Sequence, residues 1–167
     1  MELCVPHETA LFDEVRLEDI EAEPVRAGFA YWTALRGERA MPSRDELRPH
    51  AIKALLRHFV LIRVVDGGRD FHMAIVGDSV QRAYDVPLHN RFLSDIIKHA
   101  PAVMPGWMER YRRSALSGKP LFFRVTSMVE DSEANFIHRE VVVLPLGSDG
   151  IATHVITFGT HELRPGV

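Results

Sequence analysis

Residues 31–78 read YWTALRGERAMPSRDELRPHAIKALLRHFVLIRVVDGGRDFHMAIVGD, and the rest of the chain arranges itself around them. The stretch begins inside a helix. Val25, Gly28, Phe29, Trp32 and Leu35 fall three or four residues apart on one stripe, which predicts a helix opened by Pro24 and closed by Gly37. Ser43 and Glu46 have capping-box spacing, but Pro49 pushes Arg48 out of the helical region. A tight turn over 42–48 is therefore predicted, with Arg36 and Arg44 pinning it through backbone carbonyls. A second helix restarts near Pro49 and buries Ala51, Ile52, Leu55, Leu56 and Phe59. Residues 59–65 and 71–76 read as strands, and Asp66-Gly67-Gly68-Arg69-Asp70 between them is a hairpin signal. In the second strand Phe71, Met73 and Ile75 share one face and His72, Ala74 and Val76 the other. Both faces carry apolar groups, so both are expected to be covered.

Working outward, residues 1–10 form a loose arm, and Leu11, Phe12, Val15 and Ile20 predict a short amphipathic helix. Residues 77–105 are fragmentary, broken by Pro87, Pro101 and Pro105, and read as short helices and loops lying across a sheet. Trp107, Met108, Tyr111 and Ala115 define a longer helix, capped by Gly118 and stopped at Pro120. Arg110, Arg112 and Arg113 read as its solvated face. Strand runs at 121–129, 136–144 and 151–158 follow, joined by polar turns at 130–135 and 147–150. This order predicts an α+β domain: a five-stranded antiparallel sheet with helices on one face and an N-terminal helical cap on the other face or an edge. The boundaries are an arm with its short helix at 1–23, one domain at 24–163, and a tail at 164–167.

Composition narrows the class. The 167 residues are 46% hydrophobic and 26% charged, with a net charge of −3. That is ordinary for one globular domain. Nothing in the charge balance suggests nucleic-acid binding. No apolar run reaches the roughly 18 residues of a membrane span, and 1–10 lacks the basic and apolar regions of a secretory signal. Cys4 is the single cysteine, so no internal disulfide forms and a cytoplasmic setting is expected.

The strand–strand–short helices–helix–three-strand order resembles a PAS domain. Trp32, Arg36-Gly37, Pro42-Ser43-Arg44, Pro49, Val76-Gly77 and Leu144-Pro145-Leu146 narrow the resemblance to a bacterial PAS subgroup often found as stand-alone proteins, and the match spans 28–160. The second strand of that subgroup usually carries Tyr-Arg where this chain has His72-Met73-Ala74-Ile75. The resemblance implies a sensory or protein-interaction module with a small cavity between the sheet and the helices after strand two, and dimerisation through an N-terminal helix. The expectation is a homodimeric sensor or adaptor that binds a small ligand and/or a signalling protein partner and acts in trans, since five strands and their helices use up the chain. The alternatives are a pure interaction or dimerisation module without ligand, and a small α+β-cone isomerase or hydratase. Cavity candidates are Phe92, Ile96, Trp107 and Tyr111 from the helices, with Phe123, Val142 and Ile156 from the sheet. Trp32, Arg36, Pro42, Arg44, Pro49, Gly77 and Pro145 are structural, with Trp32 a core or dimer-interface anchor.

Specific chemistry has weaker support. Asn90-Arg91-Phe92-Leu93 resembles part of the flavin loop of light-sensing PAS domains, without the adduct-forming cysteine. Haem would use His99, or else His89, as an axial ligand. Either cofactor is a minor expectation. His138, Glu140 and His154 share strand positions but lack compact metal-site spacing, so no metal is assigned. No nucleophile elbow or phosphate loop is present. Glu140 is the one mid-strand acid, and hence the only candidate general acid or base for the enzyme alternative.

Overall fold

The computed structural model describes residues 10–127, 135–163 and 165. Cys4, most of the turn at 130–135, and the acids Glu130, Asp131 and Glu133 lie outside the described residues. Seven antiparallel-paired strands form one sheet. They are β1 (Ala10–Val15), β2 (Phe59–Val65), β3 (Asp70–Val76), β4 (Arg91–Phe92), β5 (Leu121–Ser127), β6 (Phe136–Ser148) and β7 (Ile151–Leu163), in the order β1-β5-β6-β7-β2-β3-β4. Helix α1 (Glu23–Arg36) covers one face. Helices α2 (Asp78–Gln81), α3 (Leu93–His99) and α4 (Met104–Ser117) follow β3, and α3 and α4 pack on the other face. The expected five-strand sheet and helical cap are therefore present, with an extra strand at each edge.

Alternation along β6 divides the interior into two cores. Val141 and Val143 join Trp107, Tyr111, Phe71 and Phe123 under α4, while Val142, Leu144 and Leu146 join Trp32, Phe59 and Phe158 under α1. Period-two side-chain direction allows one strand to serve both layers. On the cap side Trp32 is fully buried, stacks on Phe29 at 6.1 Å, and donates its Nε1–H to the Pro145 carbonyl at 2.9 Å. It is a core anchor. The Gly147 N–H donates to the Pro42 carbonyl at 2.9 Å, so the Pro-Ser-Arg turn and the Leu-Pro-Leu strand meet. Gly28 lets α1 sit against the sheet: a Cβ there would come within 2.3 Å of the Phe158 ring.

Four expectations need correction. The helix read from Leu11, Phe12, Val15 and Ile20 is instead strand β1 and a single 3₁₀ turn, Leu17–Asp19. Six residues of β1 find partners on β5, from Ala10 opposite Ser127 to Val15 opposite Phe122. A short apolar pattern fits either period, and this pairing decides it. Second, the segment after Pro49 is a 3₁₀ helix, Pro49–His58, broken at Ile52. At three residues per turn it buries Ile52, half-buries Leu55 and Leu56, and leaves Ala51 exposed. Third, Leu61 pairs with Ile75 but Ile62 with Met73, so β3 carries a bulge. The bulge resets the alternation: Ile75 is 42% exposed and Val76 packs against the α4-side core.

The fourth correction concerns the arginines. The turn is pinned by Arg39 and Arg48, not by Arg36 and Arg44. Arg39 donates to the Leu35 and Arg36 carbonyls at 2.6 and 3.1 Å and forks onto both Glu46 oxygens. Arg48 donates to the Asp45 carbonyl at 2.5 Å. Arg36 instead lies over the Trp32 ring, 5.0 Å from its centroid, and Arg44 lines a neighbouring groove. The arginines of α4 are also more than a solvated face. Arg112 donates to the Gly68 carbonyl at 2.8 Å, Arg113 pairs with Glu14 at 2.6 Å, and Arg110 lies over Phe12 at 3.9 Å. They fasten the helix to the β2–β3 hairpin and to β1.

Candidate functional site

Along β6, position 139 falls in the inward phase shared with Val141 and Val143, yet it holds an arginine. Arg139 is 2% exposed. Across the strands it sits opposite Val125 of β5 and His161 of β7. Its guanidinium lies over the Trp107 ring at 4.6 Å and donates from Nη1 to the Tyr84 hydroxyl at 3.1 Å. The same hydroxyl accepts Trp107 Nε1–H at 3.0 Å. Gly159 makes the room, because a Cβ there would lie 2.7 Å from Arg139 Nη2. The ring of His161 meets Phe136 at 5.5 Å and Tyr84 at 6.4 Å, both edge-on.

The electrostatics of this cluster are unbalanced. Among the described residues no carboxylate pairs with Arg139, and its Nε finds no partner. A buried cation is normally paired, because removing it from water costs several kcal/mol. One hydroxyl and one aromatic face compensate it in part. Its field reaches its neighbours. Burial chiefly, then Arg139 and His58, hold the His161 imidazole well below the usual histidine range. Burial pushes the Tyr111 phenol up, against an opposing pull from Arg139.

A pH dependence follows. Burial, then the Arg57 charge, lower His58, with the Gly159 backbone acting the other way. Burial, then Arg44 and Arg63, lower His154, against a raising effect of Asp45. With His161 these imidazoles stay neutral in the fold where the unfolded chain would protonate them. The unfolded state then binds more protons, so stability is complete above the ordinary histidine pKa of about 6.5 and falls as pH drops through and below it. Urea unfolding at pH 7.5 and 5.5 should show a lower midpoint in acid, and His161→Gln should shrink the difference. An unchanged difference in His161→Gln would remove His161 from this account.

The cavity candidates do not line one space. Ile96, Trp107, Tyr111 and Phe123 lie in the α4-side core, whereas Val142 and Ile156 lie in the cap-side core beyond the sheet, and Phe92 is 37% exposed on the edge strand β4. Strand parity separates them: Val142 points away from Val141 and Val143. Glu140 is occupied with structure. Its carboxylate accepts the Ala22 N–H at 2.9 Å and the Glu21 N–H at 3.3 Å, and pairs with Arg124 at 3.2 Å. It thus caps α1 from a neighbouring strand.

Glu140 and His154 lie opposite positions 160 and 146, respectively, so they are well separated along the β6–β7 ladder. The side chain of His138 lies outside the described residues, and among those described no group of three His, Cys, Asp or Glu could hold a metal ion. His89 and His99 are exposed, so neither presents an axial ligand to the α4-side core. His72 turns outward too, bonded to the Asn90 side chain at 3.1 Å. The sequence reading passed over Arg139 between His138 and Glu140. Its signal was available: a charge in the apolar phase of a strand, with Gly159 on the partner strand.

In the cap Trp32 bonds to Pro145, and Pro42 accepts from Gly147. Arg44, Pro49 and Gly77 line a groove of about 370 Å³ with Leu47, Ile52, Leu56 and Ile75. Gly77 is required there, since a Cβ would lie 2.3 Å from the Leu56 carbonyl oxygen. No helix among the described residues is long and apolar enough to cross a membrane.

Residues 20–159 match the family model described as PAS domain. Searches of curated proteins and of solved structures find no match. The matched segment contains both cores, the cap motifs and the Arg139 cluster apart from His161, and its family is one of sensory and signalling modules that commonly mediate interaction and dimerisation. With the match covering most of its length, the chain belongs to the PAS domain family.

Proposed function

We propose that this chain is a sensory adaptor that binds a small ligand on the α4 side of its sheet and relays the event to a partner protein. The observation that carries this reading is the buried guanidinium of Arg139, which has no carboxylate partner among the described residues and an Nε without a hydrogen bond. An uncompensated charge in a core is a stability cost that a bound ligand can offset. Ligand occupancy would then shift the populations of two packings of α4 against the sheet, which the partner reads. Homodimerisation and membership of the stand-alone bacterial subgroup belong to the same reading. The test is native mass spectrometry with an absorption spectrum, followed by thermal unfolding against a metabolite panel. A retained or added small molecule should raise the midpoint of the wild type and not that of Arg139→Met. Identical responses in the two proteins would defeat the reading.

A second reading, an interaction module without ligand, is favoured by the groove beside exposed Ile75. Its apolar floor suits a partner segment with an apolar anchor, and its rim carries Arg44 and Arg57 together with Asp78, which suits flanks of mixed charge. Under this reading Ile75→Glu abolishes partner capture while Arg139→Met leaves it intact.

A further inference from the structure

Where α2 packs against β7 and the end of the 3₁₀ helix Pro49–His58, a pocket of about 340 Å³ is lined by Arg57, His58, Ser79, Arg82, Thr160 and His161, with Leu163 at one side. Among the described residues its walls hold two arginines and no carboxylate: Asp78 and Glu162, the nearest acids in sequence, are not among them. Arg57 Nε donates to Ser79 Oγ at 2.8 Å, which fixes the guanidinium, and its other N–H groups have no protein partner among the described residues. The Arg82 side chain has no protein partner among the described residues. The imidazole of His161 has both nitrogens shielded from solvent and unpartnered, and His58 Nδ1 is likewise shielded and unpartnered. The pocket thus combines forked donors and hydroxyls around two imidazoles, with no carboxylate among its described walls.

From this arrangement we infer that the pocket binds a small-molecule dianion, either a phosphoryl group or a compact dicarboxylate. Two guanidinium forks match the charge and the planar donor geometry that such a group requires. The Ser79 and Thr160 hydroxyls supply further hydrogen bonds, and the volume is sufficient for an organic body beyond the anionic head. The site is also wired to the core. His161 contacts Tyr84 and Phe136, and Tyr84 carries the hydrogen bonds of Arg139 and Trp107. An anion seated against His161 is therefore one side chain removed from the Arg139 cluster. The inference rests on the sensory reading above, for which it names the ligand class and the point of entry.

The test is calorimetric titration of the full chain with inorganic phosphate and, separately, with succinate, in oxyanion-free buffer with sodium chloride matching the ionic strength. One saturable site is expected for at least one probe, and the stronger of the two identifies phosphoryl or dicarboxylate chemistry. Arg57→Gln and Arg82→Gln, both at exposed positions, should each weaken binding by roughly tenfold or more. Arg113→Gln, whose partner is Glu14 on β1, should bind as the wild type does. Absence of saturable binding by both probes would overturn the inference, as would wild-type affinity in the two pocket variants. A neutral molecule retained through purification, with neither anion binding, would overturn it while leaving the sensory reading in place. Anion binding lost in Arg82→Gln, with Arg139→Met responding like the wild type, would support the pocket and defeat the sensory reading instead.

Discussion

Trp32→Ala is expected to lower the unfolding free energy by about 3–5 kcal/mol, a large fraction of what a domain of this size holds. The side chain is fully buried between α1 and the sheet, stacked on Phe29 with Arg36 over its ring. Truncation opens a cavity that α1 can close only by tilting, and the contact of Gly28 with the Phe158 ring holds the helix in place. The Pro145 carbonyl would also lose its donor inside the core. Trp32→Phe separates the two effects. It keeps most of the packing and loses the hydrogen bond, so a smaller loss of about 1–3 kcal/mol is expected. Urea unfolding with an unchanged m-value checks both. A cost below about 1 kcal/mol for the alanine variant would mean that the cap is not an integral layer of the fold.

Arg139→Met should act in the opposite direction. Replacing a buried charge by an apolar side chain of similar length removes the desolvation cost, and comparable replacements elsewhere are neutral or stabilising by roughly 1–4 kcal/mol. The losses are the Tyr84 hydrogen bond and the contact over Trp107, smaller effects of about 1 kcal/mol each. The net expectation is a higher urea midpoint for the apo protein together with the loss of ligand response. Arg139→Ala is the control. It leaves a cavity between Trp107, Phe136 and His161 and should destabilise. A loss of stability in Arg139→Met comparable with that of the alanine variant would show that the guanidinium is a structural strut.

Both residues illustrate what local pattern reveals. Trp32 was legible because it lies on a helical stripe whose period survives folding, and Gly37, Ser43 and Gly118 were legible as caps because their conformations are local. Gly37 and Gly118 do adopt positive φ, at 59° and 68°. Arg139 was not singled out, because a charge inside a strand ordinarily marks the solvent face. Only with β5 and β7 on either side and α4 above does position 139 become interior. Glu140 was read as a free mid-strand acid for the same reason. The two backbone N–H groups that occupy it come from residues 21 and 22, more than a hundred positions away in the chain.

By itself the sequence determined the element types wherever a period ran long enough: α1, α4, the β2–β3 hairpin and the three closing strands, and with them the PAS order. Those signals are local, since turn residues, caps and stripes act within a few positions. Tertiary structure decided the rest. Strand β1 exists because β5 offers it an edge, and the bulge in β3 turns Ile75 out and Val76 in. Of the seven apolar positions read as one cavity, six are divided by the sheet between two cores and Phe92 lies exposed on the edge strand. The residues of the Arg139 cluster, Arg139, Tyr84 and His161, come from three segments and share no sequence spacing. Burial brings them together, and burial is also what makes an otherwise ordinary arginine energetically costly.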